Sequence, residues 1–294
     1  MKHMKKLSVI IVSYNGSDIL YDCLKSIEKY NDLGEELEVI VSDNSPDTKV
    51  VEMVRKNFPT VIAVHNEKNG GFGYGNNRGA EISEGQFLLF LNPDTILIEP
   101  IFKYCVEKFE TNDKLALCGI KQITDEYSSN YSFYLLDAIG IVGNIIQRYY
   151  LKKELYIDGK MFIPGSDMFI RRDVFFAIGQ FDENIFMFYE ESDIVRRIKL
   201  YDSALKTEYY PEKRIIHLVG GTRKRKVSAD LKTTQQVLTS LRYYCEKYDL
   251  DYKKMINKYI RLSWLRMGKY VIARNHDQVA ELRKIIDYAH QVSD

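Results

Sequence analysis

The chain has 294 residues, which is long for one domain and short for two, so we expect one large α/β core with a C-terminal extension. Its 42 Lys and Arg nearly balance 41 Asp and Glu, which excludes a global positive field for gripping nucleic acid and requires any basic site to be local. The four cysteines lie far apart without a CxxC pair. The sequence therefore indicates neither a zinc site nor a disulfide framework, and favours a reducing, cytoplasmic compartment.

The apolar run at 7–12 follows a basic start, but it is too short for a signal peptide and lacks a small-residue cleavage site. It predicts a first strand. No apolar stretch reaches the roughly 18 residues that a membrane-spanning helix needs. The segment 135–146, LLDAIGIVGNII, predicts a buried helix, with contact with a membrane surface as the alternative.

Apolar, β-rich runs alternate with helical patterns through the first hundred residues. This alternation predicts a parallel sheet covered by helices on both faces. Ser45 is placed to cap the second helix, with Pro46 at its first position. From about residue 229 the pattern is helical, which predicts a catalytic part at 1–228 and a helical extension at 229–294. The predicted strands are 7–14, 37–43, 61–66, 87–92, 115–120 and a run ending at 215–218.

Polar side chains appear abruptly where the first four predicted strands end, and in parallel sheets ligands bind outside these carboxyl ends. Asp43 is suited to accept hydrogen bonds from a nucleotide base or a ribose hydroxyl. A helix cap is the alternative, but Ser45 already fills that position. Asn92-Pro93-Asp94 alone is typical of a turn; at this rim Asp94 becomes a candidate contact for a metal and a diphosphate. The polar residues at the rim are Ser13, Asn15, Asp43, His65, Asn66, Asn92 and Asp94.

The segment 69–79, NGGFGYGNNRG, is rich in glycine. Its glycines are out of register with the GxGxxG dinucleotide motif, and it follows the third predicted strand rather than the first. Backbone around Gly71, with Asn76 and Arg78 beside it, can still wrap a nucleotide closely, and Arg78 is available to a phosphate. A tight turn with a solvated arginine is the alternative. A helix is predicted near residues 76–83.

A helix is predicted from about Glu190, and its spacing puts Glu191 on the buried stripe. A carboxylate there is costly unless it has a function, and the helix dipole favours the ionised form that can accept a proton. Glu190 is explained as a charge that complements the dipole. Asp193 and Arg197, four residues apart, are expected to pair on another face. The other members of the stripe are Ile194, Ile198 and Tyr201.

His217 ends the last predicted strand and is followed by the segment 220–226, GGTRKRK. A lone histidine is usually structural, and a basic run is often a solvated face. A basic loop hinged on glycines is also suited to close over a bound diphosphate.

In this order the segments resemble an inverting glycosyltransferase of family two with the GT-A fold, a Rossmann-like, mainly parallel mixed sheet flanked by helices. The NPDT form is similar to the rhamnosyltransferase-like branch that builds bacterial cell-surface polysaccharides. The resemblance covers roughly residues 7–225. It rests on VIIVSYNG (9–16), VIVSDNSPD (39–47), NGGFGYGNNRG (69–79), FLNPDT (90–95), GSDMFIRR (165–172), FDENIFMFYEESDIVRRI (181–198) and HLVGGT (217–222).

The resemblance implies roles for single residues. Glu191 matches the catalytic base at the second acidic position of the family's ED motif, although the usual residue there is Asp. Asp94 matches the carboxylate of the DxD-type metal motif, in which Asn92 replaces an acid. His217 matches a histidine that can join the metal.

The same resemblance implies that Asp43 binds the base and that Asn76 and Arg78 lie near the ribose and phosphates. Ser13, Asn15, Gly71 and Asn92 are also expected around the nucleotide sugar. Asp167, Glu190 and Asp193 are expected at the acceptor or behind the site.

The implied reaction moves a sugar, such as rhamnose, from a UDP- or dTDP-sugar to a hydroxyl of a glycan or a lipid-linked oligosaccharide, with Mg²⁺ or Mn²⁺ as cofactor. Two alternatives stay open. A sugar-phosphate nucleotidyltransferase should carry a glycine-rich basic loop directly after the first strand, and a non-catalytic nucleotide- or glycan-binding module should not transfer sugar. The C-terminal helices, with Trp264, are expected to dock on a membrane, on a second subunit of a homodimer, or on the catalytic part.

Overall fold

The computed structural model describes residues 5–124, 130–218 and 230–293. An eight-stranded mixed sheet forms its centre, which confirms the predicted α/β class. The four strands on one side are parallel to each other, β9 runs antiparallel between its two neighbours, and the last strand is antiparallel to β10. In sheet order the strands are β3 (Ile62–His65), β2 (Leu37–Asp43), β1 (Leu7–Ser13), β4 (Phe87–Leu91), β9 (Asp167–Arg171), β6 (Leu115–Ile123), β10 (Lys206–His217) and β5 (Thr95–Leu97).

Helices cover both faces of this sheet. A separate antiparallel pair of short strands, β7 (Tyr134–Leu135) and β8 (Met161–Phe162), lies outside it. Three further helices follow at the C-terminal end. The helices are α1 (Ser17–Tyr30), α2 (Lys49–Asn57), α3 (Gly71–Ile82), α4 (Phe102–Thr111), α5 (Ile141–Lys153), α6 (Arg172–Ala177), α7 (Glu190–Tyr201), α8 (Leu231–Lys247), α9 (Tyr252–Ile272) and α10 (His276–Gln291). None of the helices in the described part of the chain is long and apolar enough to cross a membrane.

The sheet is buried on both faces, which explains its near-continuous apolar strands. On β1, Val9 and Ile11 join one apolar cluster with α1, α2 and α4, whereas Ile10 points to the other cluster, with α3 and α7. The helices α8, α9 and α10 share a third cluster, against which Ile139 and Tyr189 pack. The division of the chain at residue 228 stays a prediction.

Three local predictions are wrong. α2 begins at Lys49, not at Pro46, and Ser45 does not cap it: the Ser45 hydroxyl donates to Asp43 and accepts a hydrogen bond from Asn15 N at 2.8 Å. The helix predicted near residues 76–83 is present as α3 but begins earlier, at Gly71, so the glycine-rich segment is helical and does not form a tight turn. The apolar segment 135–146 is not a buried helix: it contains β7 and the start of α5, a helix in which Gln147 is the only buried residue.

Glycines allow α3 to lie directly on the sheet. A Cβ atom at Gly75 would come within 2.7 Å of the Val12 side chain, and one at Gly79 within 2.5 Å of the Ile10 side chain. Real Cβ contacts of this length essentially never occur. The small residues therefore set the distance between α3 and β1, and with it the position of the start of α3 at the rim.

The same substitution in two helices should have opposite effects. Gly79→Ala should lower the free energy of unfolding by about 1–3 kcal/mol, because the added methyl overpacks the core against Ile10. Gly268→Ala in α9 has no atom within 4 Å of the new methyl and should raise it by roughly 0.5–1 kcal/mol through helix propensity. Urea unfolding measures both; a stabilised Gly79→Ala protein would contradict the close packing.

Candidate active site

The direction of the strands gathers polar residues at one rim of the sheet. β4, β6 and β10 end at this rim, and the antiparallel β9 begins there, with Asp167 in register with Leu91. A cavity of about 1010 Å³ opens at the rim. Its polar wall contains Asn44, Asn92, Asp94, Ser166, Glu190, Glu191, His217, Lys232 and Gln236.

The NPD segment forms both a turn and part of the site. The Asn92 carbonyl accepts hydrogen bonds from Thr95 N (3.2 Å) and Thr95 Oγ1 (2.7 Å), which closes the turn. Thr95 is in turn in register with His217 across β5 and β10. As a result Asp94 Oδ1 lies 3.2 Å from His217 Nε2, and both side chains line the cavity.

A chain of hydrogen bonds behind His217 fixes its ring. The Gln122 amide nitrogen donates to Ser166 Oγ and to Asp167 Oδ1, both at 2.6 Å, so the amide oxygen faces His217 Nδ1 at 2.8 Å. A neutral ring must then carry its proton on Nδ1, because an oxygen can only accept. This leaves the lone pair of Nε2 directed towards Asp94.

Asp167 anchors this chain from a fully buried position behind the cavity. Its Oδ2 accepts a hydrogen bond from Ile120 N at 2.9 Å. Burial raises the pKa of Asp167 to about 7, against the hydrogen bonds from Ile120 and Gln122, which lower it. Asp167 does not line the cavity, whereas its neighbour Ser166 does, so its contact is with the residue that orients His217.

The pair of Asp94 and His217 fits a divalent metal ion. Two ligands in adjacent octahedral positions at about 2.0–2.1 Å from Mg²⁺ are about 3 Å apart, close to the 3.2 Å between Asp94 Oδ1 and His217 Nε2. The hydrogen bond from Nδ1 is the outer contact that metal-binding histidines usually make. No group of three or more His, Cys, Asp or Glu side chains that could hold a metal occurs within the described residues, so other ligands would come from a substrate or water.

The start of α7 supplies two carboxylates to the same cavity. Glu191 Oε1 accepts a hydrogen bond from Gly165 N at 2.9 Å, two residues before β9. Glu190 is only 4% exposed, and its Oε2 has no hydrogen-bond partner in the part of the chain that the structure describes. Glu190 is therefore buried at the wall of the cavity. Tyr201, expected on the buried stripe, is exposed.

Burial raises the pKa of both carboxyls above the usual value. For Glu190 the cause is burial, followed by the negative charge of Glu191. For Glu191 burial outweighs the hydrogen bonds from backbone N–H groups at Gly165 and at the helix start, which lower its pKa. The sequence predicts that the helix dipole lowers the pKa of Glu191 and keeps it ionised. That prediction is wrong, because burial raises the pKa by more than the N–H groups at the helix start lower it.

Two strained residues lead into α7. Phe188 and Tyr189 both have left-handed backbone, with φ of 70° and 75°, which costs about 1–3 kcal/mol each for residues other than glycine. Neighbouring elements hold the segment: Phe72 N donates to Phe186 O (3.0 Å), and Ser240 Oγ donates to Met187 O (2.8 Å). The carboxylates of α7 are therefore positioned by α3 on one side and by α8 on the other.

Asp193 ties α7 to the C-terminal helices instead of lining the cavity. It is fully buried and pairs with Arg197, as predicted, at 2.6 Å. It also pairs with Lys247 Nζ at 2.5 Å and accepts a hydrogen bond from Tyr248 Oη at 2.6 Å.

Several residues expected at the nucleotide have other contacts. Asp43 is fully buried and is bound by Ser45 Oγ (2.6 Å) and His65 Nδ1 (3.3 Å). Ser13 is buried, and its Oγ has no hydrogen-bond partner among the described residues, whereas Asn15 is exposed with φ of 55°. These three residues do not line the cavity, but Tyr14 and Gly16 between and beside them do.

On α3, Gly71 lines the cavity, where its φ of 91° and the nearby Phe186 carbonyl exclude a side chain. Asn76 donates to Phe72 O within the helix. Arg78 pairs with Glu81 (2.8 Å) and Glu183 (3.1 Å), and does not line the cavity. The basic segment at 220–226 lies outside the described residues.

Sequence reasoning missed Gln122, Lys232 and Gln236. Gln122 lies near the end of β6, where the rule applied to the first four strands would have found it. Lys232 and Gln236 enter the cavity from α8, and only the tertiary packing of the C-terminal helices reveals them.

Comparisons with known proteins agree with this geometry. The family model for Glycosyl transferase family 2 matches residues 8–178, more than half of the chain. The rhamnosyltransferase WbbL of Escherichia coli is 24% identical over 71% of this chain and 82% of its own length. The uncharacterized glycosyltransferase YfnE of Bacillus subtilis is 31% identical over 44% of this chain, which spans about a third (32%) of its length.

Solved structures share the fold. The mannosyltransferase PcManGT of Pyrobaculum calidifontis, in complex with GDP-Man and Mn²⁺, superposes with a TM-score of 0.60 at 13% identity, covering 99% of this chain and 76% of that one. GalNAc-T7 with UDP, GalNAc and Mn²⁺ gives a TM-score of 0.58 at 17% identity, covering 82% of this chain and 48% of that one. At these identities the likeness establishes the GT-A fold.

Replacing Asp167 by Asn should change how stability depends on pH. The pKa of about 7 in the folded protein exceeds the ordinary 3.8, so between these values the folded state keeps a proton that the unfolded state has released. This contribution to stability is complete below pH 4 and is lost as the pH rises through 7. The difference in unfolding free energy between wild type and Asp167→Asn should therefore fall by roughly 1 kcal/mol per pH unit in that window.

Urea denaturation at several pH values measures this difference. Asp113→Asn, at an exposed position, is the matched control and should give a nearly constant difference from wild type. A constant difference for Asp167→Asn as well would show that Asp167 is ionised throughout.

Proposed function

The chain belongs to glycosyl transferase family 2, and we propose that it transfers a sugar from a nucleoside diphosphate donor to a hydroxyl of a glycan or lipid-linked acceptor, with inversion at the anomeric carbon. The observation that supports this most is the shared cavity of Asp94 and His217 with Glu190 and Glu191. A metal and phosphate site and a half-buried base that face the same cavity are what a single displacement of a diphosphate requires.

Glu191 is the proposed base. It takes the proton of the acceptor hydroxyl while that oxygen bonds to the anomeric carbon and the bond from that carbon to the diphosphate breaks. The Gly165 N–H holds one carboxylate oxygen in place. Burial raises the pKa of Glu191, which makes the carboxylate a stronger base than a solvated glutamate while leaving it ionised only above that pKa.

The donor diphosphate is proposed to lie at the rim. Asp94 Oδ1 and His217 Nε2 would hold Mg²⁺ or Mn²⁺, with Asn92 beside them as a neutral neighbour. When bound, such an ion neutralises the charge that develops on the leaving diphosphate. Gln122 keeps the His217 lone pair available, and Asp167 keeps Gln122 in its orientation.

Glu190 is proposed to contact the acceptor. Its Oε2 is buried and has no partner among the described residues, and its raised pKa favours a protonated carboxyl. A protonated carboxyl donates one hydrogen bond and accepts another, which suits a sugar hydroxyl. Lys232 and Gln236 of α8 extend the same wall, so the part at 229–294 would contribute to acceptor recognition by the catalytic part at 1–228.

For the donor we propose UDP- or dTDP-sugar, with rhamnose suggested by the named relative WbbL. Asp43 is fully buried behind the rim and does not line the cavity, so Tyr14 and Asn44, which do line it, are proposed as contacts of the donor as well. The four cysteines are buried free thiols, which supports a cytoplasmic, reducing location.

Glu191→Gln should lower the turnover number by about 10²–10⁴-fold, because the amide cannot accept the acceptor's proton. Donor affinity should stay within a few fold, since the amide oxygen can still accept from Gly165 N. Transfer assays and calorimetry with the donor chosen by a thermal-shift screen measure the two quantities. The exposed Glu81→Gln, on α3, is the matched control, and an undiminished rate for Glu191→Gln would refute the assignment.

Asp94→Ala should weaken binding of the nucleoside diphosphate about tenfold or more in the presence of Mn²⁺, because the ion loses a carboxylate ligand. With EDTA in place of Mn²⁺, wild type and variant should bind with similar, weak affinity. Isothermal titration calorimetry makes the comparison, with Asp113→Ala as control. Equal affinity of the wild type with Mn²⁺ and with EDTA would contradict the metal site.

A further inference from the structure

The helix α5 exposes an apolar face that no described element covers. Val142 is 68% exposed and Ile145 is 63% exposed, although both residue types are usually buried. Together with Tyr149 they recur at helical spacing, so they form one stripe. Ile141 and Ile146 widen the stripe and are each more than 40% exposed.

A second exposed stripe, basic at its start and apolar at its end, continues from α5 along α9. Gly140, directly before α5, lies against Lys258 of α9, since a Cβ on Gly140 would be 3.2 Å from Lys258 Cβ. From Lys258 the exposed positions at helical spacing are Arg261, Leu265 and Ile272, the last two 55% and 86% exposed. Trp264 and Val271 are exposed beside them.

The charge on these two helices has one sign. α5 and α9 together contain nine Lys or Arg residues and no Asp or Glu, whereas the whole chain has a net charge of only +1. The remainder of the chain is therefore net acidic, and the positive charge is concentrated where the apolar side chains are exposed. Apolar side chains flanked by Lys and Arg are typical of helices that lie in the interface of an anionic membrane.

We propose that the exposed faces of α5 and α9 form a docking surface for an anionic lipid bilayer, with the α5 stripe inserted among the acyl chains and the basic residues at the head groups. The charge argues for this occupant over a second copy of the chain, because two copies would bring like charges together. This surface goes beyond the proposed reaction and does not depend on it.

The docking surface adjoins the cavity. Ala138 and Ile139, in the segment that leads into α5, line the cavity wall together with Leu135 of β7. A bilayer held against α5 would therefore lie next to the cavity, on the side of β7 and not of β3 at the far edge of the sheet. An acceptor carried by a lipid could reach the cavity from there without leaving the membrane.

Vesicle co-sedimentation of the full chain tests the proposal without donor or acceptor. We expect binding to phosphatidylcholine vesicles that contain roughly one third phosphatidylglycerol, little binding to pure phosphatidylcholine, and weaker binding as salt rises. Val142→Ser with Ile145→Ser should lower the partition coefficient about tenfold or more by removing the inserted side chains. Lys152→Gln with Lys153→Gln should lower it by up to roughly thirtyfold through lost charge.

Matched controls come from the far edge of the sheet. Ile62→Ser on β3 removes an exposed apolar side chain, and Lys49→Gln with Lys56→Gln on α2 removes two exposed charges. Both should bind vesicles like the wild type. Circular dichroism and thermal unfolding should be unchanged for the α5 variants, since the substituted residues are exposed.

Two results would overturn the proposal. One is a wild-type chain that does not sediment with anionic vesicles at low salt. The other is an unchanged partition coefficient for the α5 variants. If light scattering then shows that the same substitutions convert a dimer to a monomer, the α5 face is an interface between two copies of the chain and not a membrane surface.

Discussion

The antiparallel strand β9 between β4 and β6 is the constraint on which the site depends. Because it begins at the rim where its neighbours end, the start of β9 meets the ends of β4, β6 and β10. This brings Asp167 to Gln122, Gln122 to His217 and His217 to Asp94 through one chain of contacts of 2.6–3.2 Å. Gly165, just before β9, holds Glu191. The antiparallel direction of β9 thus places the proposed base beside the proposed metal ligands.

Several features of this site are destabilising, and favourable packing elsewhere in the fold must offset them. Glu190 and Asp167 are carboxyls in positions that favour the protonated form, and Phe188 and Tyr189 hold strained backbone before α7. The apolar clusters on the two sheet faces, with glycine contacts that bring α3 against β1, stabilise the scaffold around them. The C-terminal helices contribute as well: Ser240 holds the segment before α7, and Lys247 pairs with Asp193 in α7. An enzyme that keeps carboxyl groups buried beside its active site requires such support.

The sequence contained most of the sheet and part of the site. Periodicity and strand-end polarity predicted β1, β2, β4 and the helix from Glu190, because these patterns are local. The helix predicted near residues 76–83 begins too late compared with α3, since a glycine needed for close packing looks the same in the sequence as one needed for a turn. The prediction of a buried helix at 135–146 is wrong for a related reason: hydropathy indicates that a side chain prefers to leave water, but not which surface it will contact. Burial of Glu190, the orientation of Gln122 and the entry of Lys232 into the cavity all depend on contacts between residues distant in sequence.

We propose that the rim binds a divalent ion through Asp94 and through Nε2 of His217, whose tautomer Gln122 fixes. Pulsed electron paramagnetic resonance of Mn²⁺, with the nucleoside diphosphate that stabilises the protein most, tests it directly. We expect a nitrogen coupling to Mn²⁺ in the wild type that disappears in His217→Leu and persists in the control His65→Leu. A spectrum of bound Mn²⁺ without nitrogen coupling, or one unchanged by His217→Leu, would contradict it.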